Sequence, residues 1–218
     1  MPLNENQFNT HFTNNRIDAA IWIAGAAWAD WKDCFEATAE GRTLPVLHDP
    51  QRYKEFLKQY RVLRAANQRR RNQIRVKLTN SKHFNTLVAE SQIALVDQVV
   101  ENLANAYPGL GRQRSFVSKV AAFARPECFV AYDQYASRGA ALLCDGPRNG
   151  DYKSYELYMT DVNLIRDRAQ SQIQHHLTNL LKDTSPFLGA GRRQRAFELR
   201  VLDGVLMMVG GRWSHIAP

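Results

Sequence analysis

The chain has 218 residues, 44% of them hydrophobic, enough to bury the core of one domain or of two tightly packed lobes. Its 29 basic and 21 acidic side chains leave a formal charge of +8, which favours a polyanionic partner. Cys34, Cys128 and Cys144 are unclustered, which argues against a disulfide scaffold or a zinc knuckle and excludes a four-cysteine iron–sulfur cluster made within this chain.

Residues 1–16 are polar and read as a flexible N-terminal tip, without the apolar core of a secretory signal. In IDAAIWIAGAAWADWKDCF, Ile21, Ala24, Trp28 and Trp31 recur at helical spacing and predict a buried helix. Its tryptophans suit core packing first and a pocket wall second. After the connection GRTLPVLHDP comes YKEFLKQYRVLRAANQRRRNQIRVKL, helical in tendency and strongly basic through Arg61, Arg64, Arg69, Arg70, Arg71, Arg75 and Lys77. One helix ends near Asn67 and another element begins after it. Such a segment suits phosphate contacts or, equally, a solvated face. FNTLVAESQIALVDQVVENLANAY, with Leu87, Ile93, Val96, Val99, Val100 and Leu103 as its stripe, predicts one long amphipathic helix.

Tyr107-Pro108-Gly109-Leu110-Gly111 breaks that helix. Its glycines suit a hairpin whose amides approach phosphate, and equally an ordinary turn. CDGPRNGDYKSY is a loop. TDVNLIRDRAQSQIQHHLTNLLKD is a long helix, SPFLGAG interrupts, and RRQRAFELRVLDGVLMMVGG is a last helix with a Gly-Gly stop. Only ECFVAY looks extended. The expectation is an all-α fold, a single helical domain over 1–218, with no membrane-spanning stretch and a cytoplasmic location.

One lysine stands alone in SFVSKVAAFA. Phe116, Val120 and Phe123 share a face of that helix, and Lys119 falls on the narrower side, from which its amine can leave the core. Pro126 stops the helix. Asp133 precedes QYASRGAALL and is placed to cap it, where exposed N–H groups and the helix dipole keep a carboxylate ionised. A short extended link would bring both side chains to one cleft. An uncharged lysine amine is a nucleophile, and a fixed carboxylate stabilises positive charge developing at a sugar carbon. The pair therefore suits cleavage of an N-glycosidic bond through a Schiff base. A solvated lysine and a plain helix cap account for the same residues.

From PGLG through SFVSKVAAF to FVAYDQYASRGAALL, residues 107–143, the chain resembles the helix-hairpin-helix DNA glycosylases, particularly their 8-oxoguanine branch. The resemblance implies Lys119 as catalytic lysine, Asp133 as catalytic aspartate, and Gly109 and Gly111 as hairpin glycines. It also implies DNA as partner, extrusion of the target nucleotide, excision of 8-oxoguanine or another modified base, and abasic-site lyase activity. A monomer, association with the nucleoid and a monovalent cation at the hairpin carbonyls are further implications; no other cofactor is implied. RQRSFVS separates Gly111 from Lys119, a longer insertion than the family shows, and Tyr132-Asp133 stands where Val-Asp is common.

Arg112 and Arg114 flank the hairpin and suit DNA-backbone contacts, as do Arg69, Arg70 and Arg71; Arg138, early in the helix after Asp133, suits a phosphate. The family sandwiches the extruded base with C-terminal residues, which points to Phe197 or Trp213, with core packing as the alternative for each. A non-catalytic helical DNA-binding protein is the competing account, and an interaction protein with incidental charge a third.

Overall fold

Polar side chains set many of the helix starts in the computed structural model, which describes residues 2–39, 44–181 and 191–212. The helices are α1 (Glu5–His11), α2 (Asn14–Asp30), α3 (Lys32–Ala39), α4 (Pro45–His48), α5 (Pro50–Gln59), α6 (Gln68–Thr79), α7 (Lys82–Glu90), α8 (Leu95–Ala106), α9 (Arg114–Ala124), α10 (Gln134–Leu143), α11 (Tyr155–Leu180) and α12 (Arg192–Val209). Asn4, Asp49, Asn67, Ser81, Asp133 and Ser154 each accept backbone N–H groups at the start of α1, α5, α6, α7, α10 and α11. No strand occurs among the described residues, so the fold is all-α. No helix among them is long and apolar enough to cross a membrane.

Two expectations change. The N-terminal segment read as loose holds α1, with Phe8 and Phe12 stacked and buried and Asn4 N–H bonded to Leu143 O at 2.7 Å. Burial of two aromatic rings outweighs the polar composition around them. The single long helix expected over 84–107 is two helices, because Ser91 takes a left-handed conformation at φ 56° and ends α7. Within ECFVAY, Glu127 and Cys128 belong to a turn closed onto Arg125 O, and residues 129–132 form a link outside any helix or strand.

The helices pack in two groups. In one, α12 lies against α2, α10 and α11. Close approach of α10 and α12 requires glycine: a Cβ on Gly139 would strike the Leu206 carbonyl, and one on Gly210 the Tyr135 carbonyl. In the other group α9 is the hub, touching α3, α7 and α8, and every residue from Phe116 to Ala124 is buried. Trp31 ties the groups together. Its ring meets Phe123 edge-on at 5.2 Å and Phe56 at 6.3 Å, and its Nε1 donates to Gln59 Oε1 at 2.8 Å. Trp28 and Trp31 are thus core residues, whereas Trp22 is 70% exposed.

Candidate active site

The 129–133 link runs from the hub helix to α10, and its carbonyls need donors because it has no ladder of its own. Tyr155 Oη donates to Val130 O at 2.6 Å, Tyr158 Oη to Ala131 O at 3.1 Å, and Ser118 Oγ accepts from Tyr132 N at 2.9 Å. Tyr132 Oη in turn donates to Gly150 O at 3.0 Å. These bonds fix where the link ends, and it ends at Asp133. The Asp133 Oδ1 accepts from Tyr135 N and Ala136 N, both at 2.9 Å, leaving Oδ2 facing Lys119 Nζ at 3.8 Å. Lys119 also donates to Ser115 Oγ, one turn earlier on α9, at 2.8 Å.

Lys119 does not leave the core as its helical position suggested; it is 7% exposed. Burial pulls its pKa below the ordinary lysine value, against the opposing pull of the Asp133 and Asp203 carboxyls, while Arg212 and Arg200 lower it further. An amine in that setting reaches its neutral, nucleophilic form more readily than a solvated lysine.

Lys119 and Asp133 open onto a cavity of about 700 Å³ between the helix groups. Ser115, Ala131 and Tyr135 line it beside them, α2 contributes Ala24 and Ala27, and α12 contributes Arg200, Asp203, Gly204 and Met207. The α5–α6 link supplies Tyr60, Arg61, Val62 and Arg64. Arg61 sits at φ 50° and Leu63, between the lining residues Val62 and Arg64, at φ 52°, conformations that non-glycine residues adopt at a cost. The volume is in the range that accommodates a small molecule or one extruded nucleoside.

Other expected residues fall elsewhere. Gly109 and Gly111 form the turn between α8 and α9 with φ of 83° and 69°, and nothing lies within 4 Å of where their Cβ atoms would be. Two of the turn's carbonyls accept hydrogen bonds within it, Tyr107 O from Leu110 N and Leu110 O from Gln113 Nε2. Arg112 is exposed and pairs with Glu101 at 2.8 Å. Arg114 is not free for DNA. It bonds Asp97 at 2.7 Å, Tyr152 O at 2.8 Å and Lys153 O at 3.0 Å, so it clamps the loop before α11. Arg71 likewise turns inward, onto Leu63 O at 3.2 Å. Arg69 is exposed and Arg70 half-buried, with no ion pair among the described residues.

Arg138 is not among the residues lining the Lys119 cavity. It lines a separate hollow with Asp145, Arg148 and Gly210, and its guanidinium donates to the Gln134 amide oxygen, oriented to accept, at 2.9 Å. Phe197 is fully buried and edge-on to Trp28 at 6.1 Å, so it packs the core rather than a base. Trp213 lies outside the described residues. Ser115, Tyr60, Arg200 and Asp203 were missed. Only Asp203 carried a sequence signal, as the lone acid in the apolar run VLDGVLMMV.

Comparison with known families, curated proteins and solved structures finds no match.

Proposed function

We propose that the chain is a DNA glycosylase with abasic-site lyase activity, cutting through a Schiff base on Lys119. One observation carries this reading: a buried amine faces, at 3.8 Å, a carboxylate anchored as a helix cap, in a cavity large enough for an extruded nucleoside. A solvated lysine is no longer an alternative explanation, because Lys119 is buried.

The C1′–N bond breaks with its electron pair leaving on the base, neutral Nζ attacks C1′, and the base is released carrying one of the two protons of the ammonium so formed. Asp133 stabilises the positive charge that C1′ carries between the two events. The nitrogen keeps its remaining proton, its lone pair opens the C1′–O4′ bond, O4′ takes a proton from water, and the iminium C1′=N⁺H forms. Loss of a C2′ proton then expels the 3′ phosphate. Tyr60 and Tyr135 offer aromatic faces at the cavity for the base. Arg61 and Arg64 at the cavity, with Arg69 and Arg70 on α6, place positive charge where the flanking phosphates would run. The overall charge of +8 supports the same partner.

The test is borohydride trapping on duplexes carrying 8-oxoguanine, abasic sites or modified cytosines. A covalent protein–DNA adduct is expected, lost in Lys119→Gln while DNA affinity is retained. Salt-steep binding without any adduct would instead establish a non-catalytic DNA-binding protein.

A further inference from the structure

Two carboxyl groups share the cavity with one amine, and only one of them is held. Asp133 Oδ1 takes two backbone N–H bonds and its Oδ2 faces Lys119. Asp203, on α12, is 6% exposed, lines the same cavity, and its Oδ1 has no hydrogen-bond partner. A carboxylate in that position would have lost water without gaining a donor, whereas the neutral acid carries no charge to desolvate. We infer that Asp203 takes the proton that Lys119 has to release before it attacks, so that the resting cavity holds a neutral amine and a neutral acid beside one carboxylate.

In that transfer, relayed by water because Asp203 is not a bonded partner of Lys119 Nζ, an N–H bond of the ammonium breaks, its electron pair stays on nitrogen, and an O–H bond forms on Asp203. Nothing is oxidised or reduced. The division of labour follows from the partners. Asp133 stays ionised because two N–H groups and the α10 dipole stabilise its charge. Asp203 lacks such donors, and the Asp133 charge beside it further favours its protonated form. Burial pushes Asp203 up to about 7, close to the pH at which a proton acceptor is most effective. Arg200 on the same helix, Lys119 and Arg212 oppose that rise. Tyr60 from the α5–α6 link and Tyr155 and Tyr158 from α11 also sense the Asp203 charge, and their own phenols are raised by burial.

The inference rests on the proposed nucleophilic role of Lys119, but it is tested without DNA. Trace acetic anhydride modifies neutral amines only, so the extent of Lys119 acetylation against pH, read by peptide mass spectrometry, reports its free amine. The half-modification pH is expected to lie below the pH at which Asp203 titrates, and to stay unchanged in Asp203→Asn, because a neutral amide then replaces a neutral acid. An Asp203 that is ionised in the resting cavity gives a different result, since removing a carboxylate lowers the pKa of a nearby ammonium. A lowered midpoint in the variant, or a wild-type midpoint above the Asp203 titration, overturns the proposal. The carboxyl ¹³C shift of Asp203 in the wild-type protein needs no variant: a protonated acid at pH 6 is expected, and an ionised one overturns the proposal. Borohydride trapping on an abasic duplex keeps the two readings apart. No adduct from the wild type sinks the lyase, whereas an adduct with the wrong acetylation shift sinks only the role of Asp203.

Discussion

Asp133 does two jobs with two oxygens, and substitutions separate them. Oδ1 caps α10 through Tyr135 N and Ala136 N, and Oδ2 supplies the charge opposite Lys119. Asp133→Asn keeps a cap acceptor and loses the charge; Asp133→Ala loses both. Asparagine and aspartate cap equally well, and alanine costs about 1 kcal/mol at such a site. For a chain of this size the alanine variant should therefore melt about 2–4 °C below the asparagine variant. Both leave Lys119 without its counter-charge, so its folded pKa falls further below that of the unfolded chain. The unfolded state then binds the extra proton, and both variants lose stability as pH falls through the window between the two pKa values, by about 1.4 kcal/mol per unit. Excision of a base, which needs the fixed charge at C1′, should fall by about 10²–10⁴ in both. Trapping on a preformed abasic aldehyde, which needs only the amine, should persist. Thermal melts at several pH values, single-turnover excision and borohydride trapping measure these effects. Equal melting of the two variants would refute the cap assignment. Unchanged excision in Asp133→Asn would refute the electrostatic role.

Gly139→Ala should destabilise the fold by about 3 kcal/mol, because its Cβ meets the Leu206 carbonyl, whereas Gly25→Ala, with open space inside α2, should stabilise it by about 0.8 kcal/mol; denaturant titrations decide both. Wild-type stability should decline between about pH 4 and about pH 7 on account of Asp203. Its raised pKa means the folded state holds a proton the unfolded state has lost, and the decline should flatten in Asp203→Asn when melts are compared across that window. Arg114→Ala should cost about 2 kcal/mol by stripping donors from Asp97 and two carbonyls, and Arg112→Ala under about 0.5 kcal/mol, in the same titrations. Removing Arg69 and Arg70 together should flatten the log–log salt dependence of DNA affinity by about 0.9 for each phosphate that their guanidinium groups neutralise.

The pairing of Lys119 with Asp133 was legible because its signals are local. A lone lysine in an apolar helix, a proline stop and a capping aspartate lie within one short stretch, and the link between them is too short to carry the two side chains far apart. The all-α fold was legible for the same reason, through helical periodicity. Charge was misread wherever its partner was distant. Arg114 and Arg71 look like phosphate contacts, yet unpaired loop carbonyls elsewhere in the chain claim them. Phe197 looked like a stacking ring, but nothing in its own helix reveals that Trp28 covers it. The break at Ser91 was hidden because left-handed backbone in a serine has no sequence signature.

Asp203 shows what local reading leaves out at the proposed site. Within α12 it interrupts an apolar face, and Gly204, beside it, packs against Ala20 of α2 at 3.1 Å from an added Cβ. Helix packing that tight would ordinarily select an apolar residue at position 203, since a buried carboxyl without a donor destabilises the fold. Its environment becomes intelligible only when α9, α10 and α12 are assembled. The hydroxyls of Tyr155 and Tyr158 fix the link, the link fixes Asp133, and Asp133 fixes the amine that Asp203 shares the cavity with. The link and the glycine-enabled α10–α12 crossing are thus the parts of the fold that bring one amine and two unequal carboxyls together. Their geometry is what the proposed nucleophile, needing both a fixed charge and a proton acceptor, requires.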